Sequence, residues 1–411
     1  MRHNDWTKIL GWPGYAVYQH EIDENAKTLK LWVRRKRGNR RLICSGCGRG
    51  ISEPADVTER EVRDLPCFEY RTTEVIELYR VRCPDCGLKI EKVDQLPSKA
   101  PFSKRFEEAV GEACESASAR RVAVRFGLPE STVRAIDQRY LERWSDGRRK
   151  PALRQMGVDE IYLGKKTKFV TVVSNLETGE PLWFGTERKK ETLDEFFCSQ
   201  LSKRQRERIE VACVDMWAPY RLSIEDRAPC CKIVYDKFHI MQHANKAIDE
   251  VRRAEFFRKG GPMRELMKGK RWLLLTRWVN LGDSQKQMLN ELFRINRKVL
   301  KAYLLKESLD RLWNYIYEGA MLRYLQSWID QLRWQRLEPF QKLAVMLLDH
   351  LDGVLNYCRV KPPLGVVEAI NGNIKTLVRR GRGYKNLRYL LLKAQRTAAT
   401  KTEFVAFRKA A

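Results

Sequence analysis

Two Cys-x-x-Cys-Gly segments, Cys44-Ser-Gly-Cys47-Gly and Cys83-Pro-Asp-Cys86-Gly, constrain this chain more than any other feature. In such a segment a tight turn faces two thiolates toward one ion, and the glycine after the second cysteine permits the backbone conformation the turn needs. Two of them make a closed, tetrahedral four-cysteine zinc site of structural type. The chain has 11 cysteines, an odd number, and the N-terminal stretch lacks the apolar run of a secretion signal. A disulfide framework is therefore a poor default, and Cys67, 114, 198, 213, 230, 231 and 358 read as small buried hydrophobes. The 35 residues between the knuckles must form an extended excursion. Val75–Val81 supplies a strand for it and Leu65-Pro66 a turn. Upstream, Leu29, Leu31 and Val33 alternate with polar residues as a strand. Arg34, Arg35, Lys36 and Arg37 then open a run of six cations in eight residues, 34–41, expected as a hairpin tip that touches phosphate.

Charge extends that expectation to the whole chain. Lys and Arg number 79 against 52 Asp and Glu, a net +27, which points to a polyanionic partner, most often nucleic acid; the motifs that follow narrow this to double-stranded DNA. A hydrophobic fraction of 43% excludes a disordered chain. The longest aliphatic run, Leu343–Leu348, is too short to span a bilayer, so a cytoplasmic, nucleoid-associated protein with no membrane partner is expected. Three helices are predicted after Pro101: Phe102–Ser116, Ala119–Phe126 and Glu130–Leu141. Ala123, Leu128, Val133 and Ile136 are spaced to pack the last two steeply, and Gly127 supplies the left-handed turn residue. This is a helix-turn-helix pattern, with Ser131, Thr132, Arg134 and Gln138 expected at the major groove. The linker Asp146–Pro151 closes the first part of the chain.

From Leu153 the pattern is α/β. Met156–Leu163, Lys168–Ser174 and Pro181–Gly185 read as three strands, the Asn175–Gly179 turn between the last two being typical of a hairpin. Lys190–Leu201 reads as a helix, Ile209–Asp215 as a strand, Pro219–Ala228 as a helix and Cys231–Tyr235 as a strand. Asp159 lies within the first strand and Asp215 at the end of the fourth, so neighbouring strands would bring two hard carboxylate ligands together. Two magnesium or manganese ions about 4 Å apart at such a site activate an attacking oxygen and stabilise the leaving oxygen of a phosphodiester.

Val158-Asp159-Glu160, Val214-Asp215-Met-Trp-Ala-Pro-Tyr220 and Val367-Glu368-Ala-Ile-Asn371-Gly-Asn-Ile-Lys375 resemble the three blocks of a DDE transposase. With the zinc-ribbon-like module and helix-turn-helix in front, nearly the whole chain resembles the ISL3 family of bacterial insertion-sequence transposases. The resemblance implies an RNase H-like catalytic core in which Asp159, Asp215 and Glu368 bind two Mg or Mn ions. It also implies a helical insertion between Asp215 and Glu368, which their spacing of 153 positions allows and the helical pattern from Ala244 supports. Two positions depart from the family, Leu364-Gly365 before the glutamate and Tyr384-Lys-Asn-Leu387 after it. Asp349 and Asp352 are the competing acids for the third ligand.

The expected organisation is multidomain α/β: a zinc module at 1–98, helix-turn-helix at 99–150, first part of the core at 151–245, helical insertion at 246–352, and last core helix with a basic segment at 353–411. Asp236, His239, Asn371 and Lys375 are expected beside the site, His239 as an auxiliary group and not, with His243, a second zinc site. Residues 359–411 carry 13 basic and 2 acidic side chains, and Arg379, Arg380, Arg382 and Lys385 are expected along DNA. Trp272, Trp278, Trp313, Trp328 and Trp334 read as core more than as base-stacking residues. No phosphate-binding glycine loop is present, so no nucleotide cofactor is expected. The function implied is binding of an element's terminal inverted repeats, then strand cleavage and transfer to target DNA, with a dimer in the synapse. The alternative is a catalytically silent DNA-binding regulator derived from such an enzyme.

Overall fold

The computed structural model describes residues 3–408 apart from 40, 150, 165–167 and 259–260, so Arg40 of the basic run and Lys150 of the linker lie outside the described residues. Two compact units are present, Met1–Arg148 and Arg149–Ala411.

The first unit opens with α1 (His3–Leu10), followed by β1 (Tyr15–Asp23), β2 (Thr28–Arg35), β3 (Leu42–Ile43), β4 (Gly50–Ile51), β5 (Pro54–Arg63), β6 (Arg71–Cys83) and β7 (Gly87–Ile90). The main sheet has the order β1-β2-β6-β5, with β7 also on β6. Leu29, Leu31 and Val33 of β2 are buried against Trp6 and Leu10 of α1, as their alternation requires. The excursion between the knuckles is β4, β5 and β6, and β5 and β6 form its long antiparallel pair. The basic run is not a hairpin tip. β2 continues pairing with β1 through Arg35, opposite Tyr15, so Arg34 and Arg35 are strand residues and only the following turn is free of the sheet.

Three helices complete this unit: α2 (Lys104–Ser116), α3 (Ala119–Phe126) and α4 (Glu130–Asp146). Ser103 caps α2 and Ser118 caps α3, each accepting from a backbone N–H three residues on. Gly127 turns the chain between α3 and α4 at φ 58°. Phe106, Val110, Val122, Ala123, Val133 and Ile136 form the helical core. Glu107 of α2 is fully buried, accepts from Arg139 Nε at 2.9 Å and pairs with Arg143 at 2.7 Å, which fixes α4. Glu107→Gln should therefore lower the unfolding free energy of this unit by about 3 kcal/mol, read from urea denaturation. The expected division at 98/99 does not separate two bodies. Arg105 of α2 pairs with buried Asp64 beyond β5, and Arg63 donates to the Phe126 carbonyl at the helix-turn-helix turn.

The second unit holds a five-stranded sheet of β8 (Gln155–Gly164), β9 (Lys168–Asn175), β10 (Glu180–Gly185), β11 (Val211–Val214) and β12 (Lys232–Tyr235). The order is β10-β9-β8-β11-β12. β8, β9 and β10 are antiparallel, whereas β11 runs parallel to both β8 and β12. Between β10 and β11 come α5 (Lys190–Gln200) and α6 (Lys203–Arg206), and between β11 and β12 comes α7 (Ala218–Arg227). α8 (Lys237–Arg258) leads from the sheet into the helical region. There α9 to α15 follow: Gly261–Met267, Arg271–Leu275, Asp283–Ile295, Arg297–Asp310, Glu318–Asp330, Glu338–Asp349 and Leu351–Val360. α16 (Gly365–Arg380) and α17 (Leu387–Arg408) return to the sheet.

Strand alternation explains the layers. Met156, Val158, Ala212 and Val214 pack with Leu193, Phe196 and Ile224 of α5 and α7. On the opposite face Ile161 and Val172 meet Ile370, Ile374 and Leu390 of α16 and α17, and Cys213 meets Val367. Gly157 is needed there, because a Cβ on it would come within 2.8 Å of Val367. The helical region shares one core with the α5/α7 face. The expected 245/246 boundary falls inside α8, and α15 packs so close to β12 that a Cβ on Gly353 would meet the Tyr235 ring at 2.3 Å. Trp313 and Trp328 are core residues and Trp278 packs against the same core, its ring beside Tyr303. Trp272 and Trp334, by contrast, are 68% and 86% exposed, so the core reading fails for these two. Among the described residues no helix is long and apolar enough to cross a membrane.

Candidate metal centre and carboxylate site

The four knuckle cysteines converge. Their sulfur atoms all lie within 4.8 Å of one another, and Cys47 Sγ and Cys83 Sγ are 3.4 Å apart. Tetrahedral zinc with bonds near 2.3 Å needs thiolates about 3.8 Å apart, so the spacing fits the ion. Gly48 (φ 76°) and Gly87 (φ 71°) adopt the left-handed conformation expected after each second cysteine. The backbone N–H groups of Cys47 and Gly46 lower the Cys44 thiol to about 7. Side-chain bonding to Cys47, with burial, pushes Cys86 up to about 12. Four thiolates cannot share this space charged without a cation, and a divalent ion resolves that conflict. None of the 11 cysteines is in a disulfide; Cys114, Cys213 and Cys358 are buried as expected, while Cys198 and Cys230 are exposed.

The second site is set by sheet register. Val158 pairs with Val214 across β8 and β11, and Val214 with Tyr235 across β11 and β12. The next residues, Asp159, Asp215 and Asp236, therefore form one row at the ends of the paired segments, and Asp236 N–H extends the ladder to the Val214 carbonyl at 3.0 Å. Period-two alternation in β8 sends Gly157, Asp159 and Ile161 to the α16 face and Val158 and Glu160 to the α7 face. Glu368 stands in the first turn of α16, and its charge reaches Asp236. Asp159 accepts from Asn371 Nδ2 at 2.6 Å and faces His239 Nε2 at 3.5 Å. Asp215 accepts from Met216 N–H at 2.6 Å and from Arg188 at 3.1 Å.

Electrostatics follow from this crowding. Burial works to lower His239, but its bond to Asp159 and the charges of Asp215, Asp159 and Asp236 outweigh it and push the imidazole up to about 9. The ring is thus a cation at neutral pH. Burial raises Asp236; the Phe238 N–H and His239 oppose it, and Asp159 and Glu368 add to it. Burial likewise raises Glu160, which accepts from Tyr220 Oη at 2.7 Å and pairs with Arg188 Nε at 2.6 Å. Among the described residues, the four cysteines alone close on one point as a metal cluster does. Asp159 instead faces the His239 cation and accepts from the Asn371 amide, and Asp215 pairs with Arg188. Two side-chain observations fit hard cations nonetheless: the donor set is oxygen-rich, and Asn371 Oδ1 is buried without a partner beside Asp159.

Of the expected site residues, Asp159, Asp215, Glu368, Asp236, His239 and Asn371 are brought together. His243, one turn along α8, is lowered chiefly by burial. Asp349 and Asp352 line a separate cavity of about 370 Å³ with Arg221, Glu225 and Tyr235. Lys375, Arg379, Arg380, Arg382 and Lys385 are exposed on and just after α16. On α4, Ser131 is exposed and Thr132, Arg134 and Gln138 are half-buried, with Arg134 paired to Glu130 at 2.7 Å and Gln138 donating to Glu142 at 2.9 Å. Arg34, Lys36 and Arg37 are exposed, Arg34 lying 4.9 Å over the Tyr18 ring. Arg35 departs from its expected DNA contact: its side chain is 11% exposed, pairs with Glu91 and stacks over Tyr15. Sequence reasoning missed Glu160, Arg188, Trp217 and Tyr220 as parts of the site. Glu160 was visible as the acid beside Asp159, but nothing about Arg188 marks it out in the sequence.

A family profile described as "Transposase" matches residues 156–394, and one described as "Helix-turn-helix domain of transposase family ISL3" matches residues 91–141. The chain is 32% identical over 394 residues to the transposase for insertion sequence element IS1001 of Bordetella parapertussis, covering 93% of this chain and 95% of that one. It is 25% identical over 392 residues to the transposase for insertion sequence element IS1557 of Mycobacterium tuberculosis, covering 87% and 85%. The chain belongs to the ISL3 family of transposases: an insertion-sequence transposase with a helix-turn-helix DNA-binding domain and a DDE domain.

Proposed function

We propose that this transposase binds the terminal inverted repeats of its own element and catalyses metal-dependent cleavage and strand transfer at Asp159, Asp215 and Glu368. The observation that carries the reading is the carboxylate row set by the β8–β11–β12 register, with Glu368 on the helix packed over the same face. A sheet ordered β10-β9-β8-β11-β12, with Asp159 within the central β8 and Asp215 just past the end of β11, supports an RNase H-like core. Magnesium or manganese ions held there supply activation of the attacking oxygen and stabilisation of the leaving one. Asn371 and the His239 cation orient Asp159, and His239 and Arg188 offset the charge of the acids. Zinc holds the N-terminal knuckles, α4 reads the terminal repeats, and the basic turn at 36–37 contacts phosphate. No covalent protein–DNA step is needed, so pairing of two ends in a dimeric synapse completes the reaction.

The test is incubation of the protein with DNA carrying the element's ends. Cutting at the element boundary with magnesium or manganese, and none in chelator, is expected. Specific binding with no cutting in either metal would replace this reading with that of a silent regulator. Lys375 and Arg379 lie one turn apart on the exposed side of α16, placed to hold phosphate near Glu368. Each Ala substitution there should weaken binding alike on all sequences and reduce the salt-dependence slope by about one. Anisotropy titrations at several salt concentrations measure this.

A further inference from the structure

Arg188 lies in the loop at 186–189 between β10 and α5 and belongs to none of the sequence blocks. Its Nε is 2.6 Å from Glu160, its terminal nitrogen 3.1 Å from Asp215 Oδ2, and its guanidinium carbon 4.4 Å above the Trp217 ring. The other oxygen of Asp215 accepts the Met216 N–H. Both oxygens of Asp215 are thus occupied by protein donors, one of them a permanent cation. A divalent ion bound through Asp215 Oδ2 would share that oxygen with this guanidinium, and two cations so close to one oxygen repel strongly.

Resting on the active-site reading above, we propose that Arg188 is a positioning residue that keeps Asp215 closed to divalent ions in the free protein and moves onto a DNA phosphodiester when the ion binds. The side chain is built for that exchange. It is 39% exposed on an irregular loop, so it can turn outward without unpacking the core. A guanidinium pairs with a phosphate through the same two-pronged geometry it uses on carboxylates. Trp217, 39% exposed at the start of α7, offers a surface along which the cation can slide. Off DNA, the displaced guanidinium loses its partners and ion binding is opposed. On DNA, the phosphate replaces them, so ion loading and substrate occupancy reinforce each other. Cutting is then confined to protein already seated on DNA.

The experiment is titration of the full-length protein with Mn2+, read by electron paramagnetic resonance, with and without a duplex bearing an element end. In the wild type, DNA should tighten Mn2+ binding. R188Q should bind Mn2+ about tenfold more tightly without DNA, and DNA should then add little. The wild type supplies a second readout: Mn2+ added to the DNA complex should change Trp217 emission, identified as the part of the signal lost in W217F. Asp215-dependent Mn2+ binding that is unchanged in R188Q, or that leaves Trp217 emission unaltered, overturns this proposal alone. Mn2+ binding equal in wild type and D215N overturns the metal-site reading together with it.

Discussion

Asp215→Ala should lower metal-dependent end cleavage at least about a thousandfold while DNA-end binding stays close to wild type, and Asp159→Ala and Glu368→Ala should do the same. The size of the effect follows from the row these acids occupy. Each substitution removes one of the carboxylates proposed to hold the cations, and the acids left in the row do not take its place. Asp236 is the nearest substitute, but it is buried, and the Phe238 N–H engages one of its oxygens at 2.9 Å. The substitutions spare the fold, since the side chains of Asp159 and Asp215 are only partly buried at the sheet edge. Asp349→Ala, in the separate cavity beside β12, should leave cleavage near the wild-type rate. Labelled DNA assayed at matched occupancy measures all four variants, and loss of binding alongside cleavage would assign the acids to the fold instead.

Loss of zinc should be as severe for the first unit. Cys44 and Cys83 are buried beside Leu42 and Val81 in a small cluster that has little else to hold it. Metal binding at four-cysteine sites contributes an apparent folding free energy of roughly 10 kcal/mol or more near neutral pH. Cys44→Ser or Cys83→Ser should therefore abolish stoichiometric zinc and the cooperative melting of the knuckle region. Binding to element ends should fall with it, because the β5–β6 pair that the knuckles close also carries Arg63, whose side chain reaches the Phe126 carbonyl at the helix-turn-helix turn. Metal analysis with thermal denaturation decides this; full stability in a zinc-free Cys44→Ser protein would contradict it.

Much of this was legible in the residues because local rules governed it. Cysteine spacing, the Gly127 turn and the Ser103 and Ser118 caps act within a few residues, and the strands at 156–163, 168–174 and 181–185 alternate clearly. Long-range pairing was less accessible. That β2 lies parallel to β6, and that Arg35 pairs with Glu91 56 positions on, depends on partners no local pattern reveals. The continuity of α8 across the expected domain boundary was hidden because a helix serving two packing surfaces shows no break in its period. The acids were found from their motif and His239 from the resemblance, but the second cation, Arg188, was not. Arg188 is one arginine among many until the fold places it on Asp215.

The central claim is that this carboxylate row cuts DNA by direct attack of an activated oxygen, and the most direct measurement is chemical mapping of the products made by the wild-type protein on element ends with magnesium. The account predicts a free 3′-hydroxyl at the element's terminal nucleotide, later joined to target DNA, with no protein attached to either strand. A covalent protein–DNA adduct, or cutting that persists in chelator, would contradict it.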